Sequence, residues 1–158
     1  VRELLKRGAS VNLPGSTGLT ALMGAALNGY LSILLVLLQR SANPDLLQSI
    51  DESTALMLAA GRGHEACVKA LLSAKANPDL QSIDGDTALM WAADQGHGAC
   101  VKALLRAKAN TQLLDNDGLT ALQWAEYQGH TAIAALLRQH AAPPQPAAAA
   151  PAAPPGAA

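Results

Sequence analysis

The tripeptide Thr-Ala-Leu occurs four times, at Thr20-Ala21-Leu22, Thr54-Ala55-Leu56, Thr87-Ala88-Leu89 and Thr120-Ala121-Leu122, at separations of 34, 33 and 33 residues. A period of that length fits neither one helix nor one strand. The repeated object is a whole supersecondary unit, and the chain is an array rather than a fold around one centre. Each copy is followed by a small-residue pair or its variant, a Gly-His or Gly-Tyr step and an apolar stretch. In the third unit Cys100, Val101, Leu104 and Leu105 fall on one helical stripe, with Lys102, Arg106 and Lys108 off it.

Each unit therefore predicts two helices. In the third, Thr87 is placed to cap a helix running to about Asp94, and Gly96 stops it by easy access to left-handed backbone geometry. Polar stretches such as Asn77-Pro78-Asp79 and Ser82-Ile83-Asp84-Gly85-Asp86 are too short for another helix and carry turn residues. They predict hairpin-like fingers. The units are bounded at 17–50, 51–83, 84–116 and 117–142, after a half unit at 1–16. The first full unit has one residue too many, Asp45-Leu46-Leu47-Gln48-Ser49 standing against Asp79-Leu80-Gln81-Ser82, which predicts a bulge in that finger.

The pattern Gly-x-Thr-Ala-Leu-x-x-Ala-Ala-x-x-Gly-His, then Val-x-x-Leu-Leu and a loop opening on Ala-Asn, resembles the ankyrin repeat over residues 1–142. The family's usual Thr-Pro-Leu-His is here Thr-Ala-Leu-Met or Thr-Ala-Leu-Gln. The resemblance implies an all-α solenoid of helix-turn-helix repeats with finger loops, concave on the finger and first-helix side, with about four full repeats and an N-terminal half repeat. The family's loop glycine survives only as Gly8, and Ser41, Lys75 and Lys108 hold its place. Those loops either accept a strained left-handed residue, at about 1 kcal/mol, or close differently.

The ends differ from the middle. Val1 to Ala9 matches the second helix and loop of a unit, so a first helix is expected upstream and four full repeats is a minimum for the parent protein. In the last unit Glu126 and Arg138 replace apolar residues of inner units, as a terminal cap requires. Residues 143–158 are Pro and Ala in the main, which predicts an extended or unstructured tail or linker.

Composition narrows the function classes. A net charge of -1 gives no bulk attraction to nucleic acid or membrane, and no apolar run reaches the ~20 residues of a membrane span. Two cysteines, Cys67 and Cys100, sit at the same repeat position, which fits a reducing intracellular setting, cytoplasmic or nuclear. No phosphate-cradling loop is present, and the paired acids Asp84 and Asp86, or Asp115 and Asp117, lie in turns with no pocket implied. No cofactor, metal or catalytic constellation is expected. His64, His97 and His130 invite a metal reading, each of the first two lying three residues before a cysteine. Equivalent positions in stacked layers lie ~8–10 Å apart, too far for one ion to share, which favours a structural role. Trp91 and Trp124, and the row Met23, Met57 and Met90, read as packing between repeats, with a binding hot spot as the other reading for the tryptophans.

Eight of the twelve acids fall in finger and loop segments, and ten of the eleven basic residues lie on second helices or just after them, Arg62 being the exception. Turns favour Asp whatever the partner, and cations near helix C-termini offset the macrodipole. The remaining asymmetry points to an acidic recognition edge. By resemblance to ankyrin repeats, the expected function is a protein-protein interaction scaffold, monomeric, using finger tips and exposed ends of first helices. The residues that vary there are Ile50, Asp51, Ser53, Arg62, Ile83, Asp84, Asp86, Asp94, Gln95, Asn116, Asp117 and Leu119. A protein partner with a basic surface fits such an edge. The alternative is the substrate-targeting arm of a larger enzyme, a kinase or ubiquitin-ligase component.

Overall fold

A computed structural model describes residue 3 and residues 6–141, with the backbone alone at residue 141. Among these, eight helices form four pairs: α1 (Ala21–Asn28) with α2 (Leu31–Gln39), α3 (Ala55–Gly61) with α4 (Glu65–Ser73), α5 (Ala88–Gln95) with α6 (Gly98–Arg106), and α7 (Ala121–Tyr127) with α8 (Thr131–Ala141). First helices pack on first helices of the neighbouring pairs and second helices on second, giving two layers. The proposed tail at 143–158 lies outside the described residues, as do most of the residues of the helix expected in the half repeat at 1–16.

Thr-Ala-Leu recurs because each of its residues has a separate task. Thr20, Thr54, Thr87 and Thr120 take extended backbone, and each hydroxyl accepts the amide N–H three residues on, at 3.2–3.3 Å. Those caps satisfy a donor that the helix start leaves free. The alanine faces the preceding repeat: Ala55, Ala88 and Ala121 are buried, whereas Ala21, on the first of the described first helices, is exposed. The leucine faces the following repeat, for Leu22, Leu56 and Leu89 are buried and Leu122, on the last first helix, is only partly so. Met23, Met57 and Met90 are buried beside them, while the last repeat has the exposed Gln123, whose Oε1 accepts the Thr120 N–H at 2.9 Å and completes a capping box.

The boundary between repeats is held at one recurring point. A carbonyl can only accept, so His64 Nε2 donates to Leu27 O at 3.1 Å, His97 Nε2 to Gly61 O at 3.2 Å and His130 Nε2 to Asp94 O at 3.0 Å. Each ring lies over the interhelix glycine of the preceding repeat. A Cβ added at Gly63 would stand 2.6 Å from the His97 ring, on a residue whose φ is +77°. Glycine is required there both by handedness and by the neighbour's imidazole.

Second helices end on left-handed residues that are not glycine: Ser41, Lys75 and Lys108 have φ of 62°, 67° and 65°. Of the two expected loop closures, the strained one is found. Each ends in a Schellman turn, in which Lys75 N–H donates to Leu72 O at 3.0 Å and Ala76 N–H to Leu71 O at 3.0 Å, with Ala76 buried. Glu52, at φ 59°, is a fourth such residue, unmarked by the sequence reading, where other fingers have Gly18, Gly85 and Gly118.

The bulge lies in the expected finger but at its tip. Two fingers close from Ser82 N to Asp86 O and from Asp115 N to Leu119 O, whereas the first full unit closes from Gln48 N to Ser53 O. Ile83 N–H bonds Asp51 O at 2.8 Å and Asn116 N–H bonds Asp84 O at 2.9 Å, which fixes the correspondence between tips. Asp51 then matches Asp84 and Ile50 matches Ile83, leaving Ser49 as the additional residue.

Candidate functional site

The fingers and first helices form one side of the array, and most of the acids on it serve the fold. Asp45 Oδ1 accepts Asn77 N–H at 2.8 Å and Asp79 Oδ1 accepts Asn110 N–H at 2.7 Å, tying each finger to the next. Asp51 Oδ1 accepts Ser53 N–H at 2.9 Å. Asp115 is buried, its Oδ1 taking Asp117 N–H and Leu119 N–H at 2.9 Å each and its Oδ2 the Trp124 indole N–H at 2.7 Å. Asp86 Oδ2 accepts the Trp91 indole N–H at 3.2 Å. Asp84 and Asp117 are different: both are exposed, and their carboxylates take no hydrogen bond or ion pair from the described residues.

The residues marked from sequence separate accordingly. Ile50 and Ile83 stand out at the tips, 69% and 55% exposed, beside Asp84, Asn116 and Asp117. Ser53 does not belong to that surface. It is fully buried, and its hydroxyl donates to Gln48 Oε1 at 3.1 Å inside the finger. Leu119 is half-buried at the finger base. Arg62, Asp86, Asp94 and Gln95 come together further in, around a cleft of about 520 Å³ shared by the first helices. Asp94 accepts Gln128 Nε2 and Gln95 Nε2, each at 2.6 Å.

Trp91 and Trp124 line the same cleft, together with Leu58 at the equivalent position of the preceding repeat. Trp91 packs between repeats, as the sequence favours: a Cβ added at Gly61 would lie 3.0 Å from its Cε3. Half-buried rings can pack on one face and be open on the other, so the two readings were not exclusive. The available signal was the run Gly24, Leu58, Trp91, Trp124 at one repeat position, growing in size along the array.

Electrostatics in the cleft run negative at Asp86. Burial pushes its carboxyl above the ordinary range; the Trp91 hydrogen bond pulls down, and Asp115, Asp84 and Asp94 add to the rise. The thiols are poor nucleophiles. Burial raises Cys67, and burial with the Glu65 charge raises Cys100 to about 11. Among the described residues no three His, Cys, Asp or Glu side chains gather as metal donors, and no helix is long and apolar enough to cross a membrane.

Comparison with known proteins agrees with this architecture. The chain is 39% identical over 83 residues to the Ankyrin repeat and KH domain-containing protein mask of Drosophila melanogaster, covering 52% of this chain and 2% of that protein. It is 51% identical over 53 residues to the Putative E3 ubiquitin-protein ligase XBAT31 of Arabidopsis thaliana, covering 34% of this chain and 11% of the relative. It is 35% identical over 81 residues to Palmitoyltransferase Hip14 of Drosophila melanogaster, 51% of this chain and 13% of the relative. The chain thus spans a small part of the length of these relatives. The profile described as ankyrin repeats (3 copies) matches residues 25–113 and 56–146. With two layers of paired helices, capping threonines in phase and fingers bonded tip to tip, the chain belongs to the ankyrin-repeat family.

Proposed function

We propose that the chain is a monomeric, intracellular protein-binding scaffold, cytoplasmic or nuclear, whose finger tips and first helices receive a protein partner with a basic surface. Ankyrin repeats are protein-interaction modules and a non-catalytic fold, which supplies the general class. The observation that carries the finer reading is the pair Asp84 and Asp117, charged, exposed and unused by the fold, beside the exposed Ile50 and Ile83. Arg7–Glu3, Lys69–Glu65 and Arg138–Glu126 are the ion pairs among the described residues, and none involves a finger. The free buried thiols Cys67 and Cys100 suit the reducing setting, and the charged end at Glu126 and Arg138 suits a monomer.

The test is affinity capture on immobilised chain, comparing the natural sequence with an Asp84→Asn, Asp117→Asn variant at low and high salt. A partner held through these charges is lost several-fold in the variant and falls off with salt. Capture indifferent to both changes would sink the basic-partner reading.

The relatives favour a second reading. One of them is a putative E3 ubiquitin-protein ligase and another a palmitoyltransferase, each far longer than the matched segment. The array would then be the substrate-targeting arm of a larger enzyme, with a ubiquitin-ligase component better supported than a kinase. A parent coding sequence without a catalytic domain would exclude it.

A further inference from the structure

The cleft has features that the finger tips lack. At about 520 Å³ it falls within the ~300–1,000 Å³ range of ligand sites. Trp91 and Trp124 present half-buried indoles to it whose N–H groups are already taken, by Asp86 at 3.2 Å and Asp115 at 2.7 Å. What the rings offer an incoming group is therefore π-face, not a donor. Asp86 Oδ1 takes no hydrogen bond from the described residues, and each Asp94 oxygen, already accepting one amide N–H, has room for another.

An aliphatic side chain could use the rings but would cover Asp86 and Asp94 without replacing their water. An acidic one would meet like charge. A cation satisfies both walls, since it is attracted by aromatic faces and by carboxylates. Of the two long cations, guanidinium is planar, more weakly hydrated, and able to lie on an indole while its edge bonds a carboxylate. Arg62 lines the cleft as well and opposes any cation, which gives the inference a sign test.

Resting on the scaffold reading above, we propose that the cleft bounded by Trp91, Trp124, Asp86 and Asp94 is the anchor pocket for one arginine side chain of the partner protein. The chain contains two tryptophans, so both indole N–H signals in a nitrogen-15 correlation spectrum belong to the pocket. The probe is a capped Gly-Gly-Arg-Gly-Gly peptide titrated into the full chain, with the Lys and Gln peptides beside it. The Arg peptide is expected to shift both indole signals to saturation, the Lys peptide to bind more weakly, and the Gln peptide to leave them in place. Asp94→Asn should weaken the Arg peptide about threefold, and Arg62→Gln should tighten it by a similar factor. Asp86→Asn, which keeps an acceptor for Trp91, separates loss of charge from loss of packing and should weaken binding likewise.

Equal shifts from Arg and Gln peptides, or weaker binding in Arg62→Gln, would overturn the pocket. Lys binding as tight as Arg would overturn the choice of arginine. Asp84→Asn with Asp117→Asn tests the finger edge instead: if that variant loses the captured partner while the Arg peptide leaves the indoles unmoved, the pocket fails and the scaffold reading stands.

Discussion

His97 Nε2 donates to the Gly61 carbonyl of the preceding repeat at 3.2 Å, and its ring occupies the space that a side chain on Gly63 would need. The hydrogen bond and the steric fit belong to one contact. His97→Ala leaves a partly buried carbonyl without its donor and opens a void over Gly63, and should cost about 1–3 kcal/mol in urea unfolding. Gly63→Ala should also be costly, because it meets both a positive φ and the imidazole. The double variant should cost less than the sum, since removing the ring removes one of the two objections to the alanine. Strict additivity would show that ring and glycine do not share a site.

Lys75 and Lys108 hold left-handed backbone at φ 67° and 65°. The two Schellman bonds and the buried Ala76 and Ala109 impose that conformation despite the Cβ. Glycine removes the strain and loses more chain entropy on folding, so Lys75→Gly and Lys108→Gly should each raise stability by about 0.5–1 kcal/mol. Thermal or urea unfolding measures it, and a loss in either variant would mean that the lysine stem contributes more than its backbone costs.

Much of the frame was legible in the sequence because its signals are local. Thr87 caps a bond three residues away, and Gly96 sets its own dihedral. Even the cap at Glu126 and Arg138 could be read by position, since inner repeats are apolar there. The position of the additional residue was not legible. Leu46 and Leu47 are indistinguishable on paper, and it takes the closing bond from Gln48 N to Ser53 O, set against Ser82 N to Asp86 O, with the tip bond from Ile83 N to Asp51 O, to leave Ser49 as the insertion. Ser53 was misplaced for a similar reason: whether a finger hydroxyl points out or in depends on its bond to Gln48, which composition does not reveal. The cleft is not legible in one repeat, because its lining joins Leu58, Trp91 and Trp124 from three successive first helices, and the hot-spot reading of the tryptophans carries no sign that Asp86 and Asp94 stand beside them.

Asp86 carries a pH dependence whose sign is unusual for a carboxylate. Burial, with help from Asp115, Asp84 and Asp94, raises its pKa in the folded state. The folded protein therefore holds that proton more tightly than the unfolded chain does, and stability falls as pH rises from about 4 through the folded pKa. Above that window the cost is fully present. Asp86→Asn keeps an acceptor for Trp91 and removes the titration, so its stability should gain on the natural protein across the same rise. Parallel curves for the two proteins from about pH 3 to about pH 7, a range that spans the ordinary carboxylate value of about 4, would assign the titration elsewhere.

Glu126 and Arg138 stand where inner repeats have the buried Ala93 and Leu105, and they bond each other between the two helices of the last described pair. Both are exposed, so the pair itself should contribute less than about 1 kcal/mol to stability. Its larger effect is to keep that end from stacking, because any neighbour would have to desolvate both charges. Glu126→Ala with Arg138→Leu restores the inner-repeat residues and presents an apolar face. Urea stability should stay within about 1 kcal/mol, while sedimentation equilibrium should show association that grows with concentration. If the variant sediments as a monomer wherever the natural chain does, the charges are not what holds this end apart.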